Sequence, residues 1–186
     1  VQTCALPISS EISVRIGASW VEVDDYRQFM YETFQTPWRL RDRKIDLVYS
    51  PVSGGWHVKG KSVDKNVYTA ITYGTGRISG YAIYEQTLNQ RDVKIYRTTY
   101  VDGVEKRVLD MKETTIAQQR QEALNEAFQE WIFKDPHRRE RLVRKYNDMF
   151  NNIRPREYDG SHLVFSGINP EITLREHQLN AIAHVI

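Results

Sequence analysis

The segment GWHVKGKS, residues 55–62, has the spacing of a phosphate-binding loop: Gly55, four residues, then Gly60, Lys61 and Ser62. Such a loop must turn successive backbone N–H groups inward around phosphate, after a buried strand and at the start of a helix. Here the interior is Trp56-His57-Val58-Lys59, where bulky apolar residues alternate with polar ones as in a strand. The preceding run, KIDLVYS, alternates Ile45, Leu47 and Tyr49, the pattern of a half-buried strand rather than one covered on both faces. VDKNVY, which follows Ser62, is a poor helix start. The segment therefore reads as a hairpin strand with a glycine bend, and Lys61 as a solvated surface charge.

A second cluster is KDPHRRERLVRK, residues 134–145, with six Lys or Arg against one Asp and one Glu. On a helix, Arg138, Arg141 and Lys145 share a face turned away from Leu142, Tyr146 and Met149. That face is either solvated surface, as charge runs commonly are, or a contact for a DNA phosphate backbone. The run RPREYDGSH, residues 154–162, packs Arg, Tyr, Asp and His into a loop, which reads as a turn locked by Arg–Asp contacts. The five histidines show no HExxH or related spacing, and no metal site is expected. Nucleophile-elbow and methylase motifs are missing from the sequence as well, so it carries no self-sufficient catalytic constellation.

The elements that must position these residues follow from periodicity. Val23 to Phe34 places Tyr26, Phe29, Met30 and Phe34 at helical spacing, with Asp24 and Asp25 at the positive end of the dipole. KIDLVYS and GWHVKGK flank PVSGG as a hairpin. YGTGRISGYAIYEQTLNQ predicts a helix starting near Thr75 and carrying Ile78, Ala82, Ile83 and Leu88. DVKIYRTTYVDGVEKRVLD predicts a second hairpin about Asp102-Gly103. From Lys112 to about Phe133, a stripe of Ile116, Ala123, Leu124, Ala127, Phe128, Trp131 and Ile132 predicts a long helix, broken by Asp135-Pro136. HRRERLVRKYNDMF then puts Leu142, Val143, Tyr146, Met149 and Phe150 on one face, so the two helices are expected to pack as a pair. A loop with one short strand, HLVF, follows. Thr173 with Glu176 is the expected capping box of a last helix.

With 186 residues, 40% hydrophobic and 27% charged, the chain is long enough for a buried core. No run approaches the ~18 apolar residues of a membrane span. The net charge of +2 does not by itself announce a nucleic-acid partner. The single cysteine, Cys4, excludes an internal disulfide and fits a reducing compartment; a cytoplasmic protein with no membrane contact is expected. Eleven Tyr and four Trp serve as core anchors or as stacking platforms, the former being commoner. VQTCALPISS lacks a basic region, is a poor signal peptide, and reads as a non-native leader, residues 1–10. NAIAHVI stops inside an apolar periodic run, as a cut helix would.

The tail INPEITLREHQLNAIAHVI resembles the segment just before the ATP-binding strand of superfamily 2 helicases and translocases, especially the SNF2-like group. There a Leu-Arg-x-x-Gln pattern opens a helix; here it is Leu174, Arg175, Glu176, His177, Gln178. The longer stretch from about Ile12, most specifically from Lys112, resembles the region ahead of the helicase core in large DNA-processing proteins of phages and mobile elements. Those proteins fuse an N6-adenine DNA methyltransferase to an SNF2-type helicase. The resemblance implies that Gln178, supported by Arg175, meets adenine of ATP with Mg in the parent protein, since an amide offers both a donor and an acceptor. It also implies DNA and the remainder of the helicase core as partners, with the catalytic motifs lying beyond Ile186.

The expected fold class is α+β: residues 11–110 with two antiparallel hairpins, a helical pair at 111–152, a loop with a short strand at 153–172, and the start of a truncated α/β helicase lobe at 173–186. The rival expectation is an α+β DNA- or protein-binding module with no nucleotide role.

Overall fold

The computed structural model describes residues 7–101, 104–151, 160–163 and 174–185. It divides into two compact units, Val1–Met149 and Phe150–Ile186. The first is mixed α and β, with two small antiparallel hairpins among its helices.

Helix α1, Val23–Thr33, carries Asp24 and Asp25 in its first turn and buries Tyr26, Phe29, Met30 and Tyr31. Its acids face the unpaired N–H groups of that turn, where negative charge is favoured. Gln35, at φ 47°, and Pro37 carry the chain out of the helix. Strands β1 (Asp46–Ser50) and β2 (Gly55–Lys59) pair antiparallel from Asp46↔Lys59 to Ser50↔Gly55. Leu47, Trp56 and Val58 point into the core, and Tyr49 does not.

Arg27 ties α1 to β1. Its Nε donates to Asp46 Oδ1 at 2.9 Å and its Nη2 to the Leu47 carbonyl at 3.2 Å, and it also pairs with Asp24.

GWHVKGKS is therefore strand β2 and the bend after it. Gly60 has φ +69°, and a Cβ there would lie 2.0 Å from the Lys44 carbonyl oxygen. Both facts demand glycine. The phosphate-loop spacing thus arises from a tight backbone approach. Lys61 is not free as expected: its Nζ lies 2.6 Å from Glu85 Oε1.

Helix α2, Gly80–Leu88, begins five residues later than Thr75 suggested. The hydroxyl of Thr75 instead accepts from the N–H groups of Arg77 and Ile78, making a turn. Ser79 is the cap, its Oγ accepting from the Ala82 N–H at 3.3 Å. That Ser-Gly start is favoured because Gly80 packs close against Phe34. Tyr81, Ile83 and Tyr84 are fully buried. Two further side chains of α2, Asn89 at its C-cap and Glu85, accept from the outward N–H groups of β2: Trp56 at 2.9 Å and Val58 at 2.7 Å. This edge of the sheet is closed by a helix rather than by another strand.

Strands β3 (Tyr96–Val101) and β4 (Val104–Leu109) form the second hairpin, in register from Tyr96↔Leu109 to Val101↔Val104; its Asp102-Gly103 turn lies outside the described residues. Helix α3, Met111–Ile132, is capped by Asp110 and buries Thr114, Ala117, Leu124, Phe128 and Ile132. Its seam is rotated from the expected stripe, and Ile116 and Ala123 lie at the half-buried flank. The rotation has a cause: Thr114, Gln118 and Gln121 use the same side of α3 to hold residues 91–95, as described below.

Helix α4, Pro136–Phe150, buries Leu142, while Met149 and Phe150 are exposed. It is fixed to the segment before α1, where Trp20 and Tyr146 meet edge to face at 5.3 Å. Residues 7–10, set aside in the sequence reading, take part here too, since the Pro7 carbonyl accepts from Asn147 Nδ2 at 3.1 Å.

In the second unit, helix α5 spans Glu176–Val185. Thr173 and the Val164-Phe165 half of the expected HLVF strand lie outside the described residues, and His162 and Leu163 are in a turn and loop rather than a strand. The described part of the RPREYDGSH loop includes Gly160, where a Cβ would meet the Leu179 carbonyl oxygen at 2.1 Å. Among the described residues no helix is long and apolar enough to cross a membrane.

Two predictions follow from this packing. Gly60→Ala should lower stability by about 2 kcal/mol or more, because both the backbone angle and the Lys44 carbonyl oppose a Cβ; urea unfolding measures it. Burial pushes the Tyr31 hydroxyl up to about 12 and drives those of Tyr26, Tyr81 and Tyr84 well above their ordinary value. Free tyrosines in the unfolded chain ionise near pH ~10. Stability is thus intact below about pH 10 and falls as pH rises from there toward 12. Tyrosinate absorbance from the buried rings should appear together with loss of helical circular dichroism, and ionisation of those rings in a still-folded chain would refute this.

Candidate nucleic-acid interface

YRTTYV and VEKRVL are rich in the aromatic and β-branched residues that favour strands, yet neither strand offers an apolar face. Directly opposed residues share a side of the ribbon. Tyr96, Thr98 and Tyr100 therefore lie with Leu109, Arg107 and Glu105, and Arg97 and Thr99 lie with Val108 and Lys106. Both sides are open: Tyr96, Arg97, Thr98, Tyr100, Lys106, Arg107 and Val108 are all exposed, Tyr100 by 70%. An isolated two-stranded ribbon is marginal in water, so its anchorage decides whether it holds its shape.

The anchorage is dense. Val93 and Ile95 are buried. The Val93 N–H donates to Gln121 Oε1 at 3.3 Å, and Gln121 Nε2 donates to the Arg91 carbonyl at 2.9 Å. Thr114 Oγ1 accepts from the Ile95 N–H at 3.0 Å. The Asp110 N–H closes the base of the ribbon onto the Ile95 carbonyl at 2.8 Å, one residue before α3 begins. Arg77 Nη2 reaches the Tyr96 carbonyl at 3.1 Å. The ribbon is thus clamped at its root and unsupported beyond it.

Arg97, Lys106 and Arg107 stand on the strands against Glu105, with Lys94 and Arg77 at the root. Among the described residues none of these five cations forms an ion pair. Arg107 lies over the Tyr96 ring at 4.6 Å, which fixes the guanidinium while leaving its N–H groups to solvent. A two-stranded ribbon of this size fits the major groove of B-form DNA.

The cations singled out from sequence have other uses. Arg138, in the first turn of α4, is buried. Its Nε donates to the Ile132 carbonyl at 2.8 Å, its Nη2 donates to the Trp131 carbonyl at 2.7 Å, and its guanidinium lies 3.5 Å from the Trp131 ring centre. It caps the C-terminus of α3, where cations are favoured. Burial pulls its pKa down, partly offset by Asp135, the acid that caps α4; a guanidinium stays charged regardless. Arg141 pairs with Glu22 at 2.9 Å and with buried Asp25 at 2.6 Å, and Lys145 pairs with Glu22 at 3.2 Å. The expected open face of three cations is thereby corrected: Arg138 is spent on the end of α3, and Glu22 and Asp25 at the start of α1 pair with Arg141 and Lys145.

In the second unit, Gln178 Oε1 accepts from the Arg175 N–H at 2.9 Å. Gln178 sits three residues past Arg175, so its amide oxygen satisfies one of the free N–H groups at the start of α5; Thr173 of the expected capping box lies outside the described residues. Both side chains are exposed. Among the described residues no three His, Cys, Asp or Glu side chains gather as a metal site.

A cleft of about 610 Å³ lies between residues 17–23, the tip of the β1–β2 hairpin and the end of α2, walled in part by Tyr49, Trp56, Asn89 and Arg91. Asn89 is already bonded to the Trp56 backbone on both its N–H and its carbonyl.

The family model described as Domain of unknown function (DUF8437) matches residues 15–152. The chain belongs to this family. The DUF8437 match covers α1 to α4, including the ribbon, its clamp and the α1–α4 ion pairs. No curated protein and no solved structure matches the chain.

Sequence reasoning passed over Arg97, Lys106, Arg107 and Tyr100. Their signal was the lack of an apolar alternation in either strand, which leaves a hairpin with no side for the core.

Because Arg138 serves α3, Arg138→Ala should cost about 2–3 kcal/mol of stability. Arg138→Lys should not restore it, since an ammonium cannot fork to two carbonyls while stacking on Trp131. Thermal unfolding of the two variants beside the parent chain measures this.

Proposed function

We propose that this domain is a non-catalytic DNA-binding module whose contact is the β3–β4 ribbon, and that it stands ahead of the ATPase core of a superfamily 2, SNF2-like helicase or translocase. The observation that carries the first part is the ribbon itself: clamped at its root, exposed on both sides, and bearing Arg97, Lys106 and Arg107, which form no ion pair among the described residues. Its cations neutralise phosphates, and the ribbon's width suits a groove. The helicase context is supported by the Leu174-Arg175-Glu176-His177-Gln178 pattern.

In that context ATP with Mg belongs to the core that follows, and Gln178 with Arg175 contributes the adenine contact. The described residues do not offer a phosphate cradle. The N–H groups of Trp56 and Val58 are taken by Asn89 and Glu85, and Lys61 is held by Glu85. No step of ATP turnover is assigned to this domain. Coupling to DNA methylation would come from the parent protein.

Fluorescence anisotropy with duplex DNA at several salt concentrations tests the reading. Affinity should fall as salt rises. The double variant Arg97→Ala, Lys106→Ala should bind several-fold more weakly on every sequence, with the salt slope reduced by about 2, and its melting temperature should be unchanged because both side chains are exposed. Absence of duplex binding by the parent chain, or unchanged binding by the variant, would sink the proposal.

A further inference from the structure

Trp38 is 84% exposed, whereas Trp20 and Trp56 are 7% and 8% exposed and Trp131 is covered by Arg138. A large ring left in water on a loose loop would be unremarkable, as single exposed apolar residues are common. This loop is not loose. Trp38–Leu40 form a 3₁₀ turn started by Pro37. The N–H groups of Lys44 and Ile45 both donate to the Leu40 carbonyl, at 3.1 and 2.8 Å. Arg41 Nε donates to the Thr36 carbonyl at 2.9 Å, and its guanidinium lies over the Tyr31 ring at 5.3 Å. The Tyr31 hydroxyl accepts from the Asp42 N–H at 3.0 Å and donates to the Ile45 carbonyl at 2.8 Å.

The fold thus holds the backbone on both sides of Trp38 while leaving its ring uncovered. In the same loop, Arg39, Arg43 and Lys44 are exposed and, among the described residues, form no ion pair. The nearest acid in sequence, Asp42, is exposed as well and, among the described residues, forms no ion pair with them.

We infer that Trp38 is a stacking platform for an unpaired nucleobase, with Arg39, Arg43 and Lys44 receiving the phosphates on either side of it. A flat ring beside unneutralised cations is the combination that binds single strands: stacking accepts any base, and charge follows the backbone. A base pair inside a duplex is stacked on both faces, presents only its edge and cannot lie on the indole. The inference rests on reading the domain as a DNA binder, but its site is separate from the ribbon. A domain with both sites would hold duplex DNA through β3–β4 and an opened strand through Trp38.

The test compares a homothymidine single strand with a duplex, using anisotropy and intrinsic tryptophan emission on the full chain. Single-strand binding should quench the emission. Trp38→Ala should abolish that quenching and weaken single-strand binding about 10-fold or more, with duplex affinity and melting temperature unchanged. Trp38→Phe should keep most of the affinity and Trp38→Leu should not, which separates stacking from bulk. Unchanged single-strand affinity in Trp38→Ala would overturn the inference. So would an equal loss for both DNAs, and duplex binding through Arg97 and Lys106 would still stand. If the parent chain binds neither DNA, the ribbon reading fails as well.

Discussion

The ring of Phe29 is where three helices meet. It lies 5.7 Å from Tyr84 of α2, 5.0 Å from Phe128 and 5.4 Å from Trp131 of α3, in tilted or edge-to-face arrangements. These residues are far apart in the chain, so the contact fixes the topology as well as the packing. Aromatic rings prefer such crossed geometries because the edge of one is positive and the face of the other negative. Tyr26, one turn earlier on α1, extends the cluster to Phe128 at 5.4 Å and to Trp56 of β2 at 5.2 Å. Emptying a site like that of Phe29 costs about 3–5 kcal/mol, a large part of the ~5–15 kcal/mol available to a domain. The first hairpin, α2 and α3 all take their positions from α1 through these rings.

Around that centre, polar groups are settled locally rather than left to water. Tyr84 donates to the Tyr26 carbonyl at 3.0 Å, and Tyr81 and Thr36 share a 2.6 Å hydrogen bond beside Asp64. The acids at the start of α1 meet the bases of α4. A pair such as Asp25–Arg141 adds little net stability when formed, but removing one partner leaves a buried charge exposed to no counter-ion. These pairs add a charged contact between α1 and α4 beside the buried Leu142 and the Trp20–Tyr146 pair.

Much of this was legible in the residues. The apolar spacing of Tyr26, Phe29 and Met30 and the alternation in KIDLVYS and GWHVKGK located α1 and the first hairpin to within two residues, and the Asp102-Gly103 pair between β-rich runs placed the second hairpin within residues 92–110. Asp135-Pro136 marked the break between α3 and α4. The start of α2 was misplaced because Thr75 and Ser79 are both good capping residues, and the choice between them depends on Gly80 fitting against Phe34, a contact between distant positions. The same limit applies to charges. A helical wheel puts Arg138, Arg141 and Lys145 on one side of α4 but cannot say what lies opposite, and here it is Glu22 and Asp25. Trp38 shows the reverse: composition favoured a buried role for tryptophan, and only the hydrogen bonds around the 3₁₀ turn hold it outward.

The clamp at the root of the second hairpin has a consequence for how this domain can vary. Ile95 and Asp110 are joined below the ribbon, and no described residue between them belongs to the buried core. Insertions or deletions that add or remove matched pairs across β3 and β4 would leave the clamp, α3 and the aromatic centre untouched. A change of one residue in a single strand would swap which side chains share a face. The arm can therefore be re-lengthened in steps of whole cross-strand pairs, giving one scaffold a range of reaches.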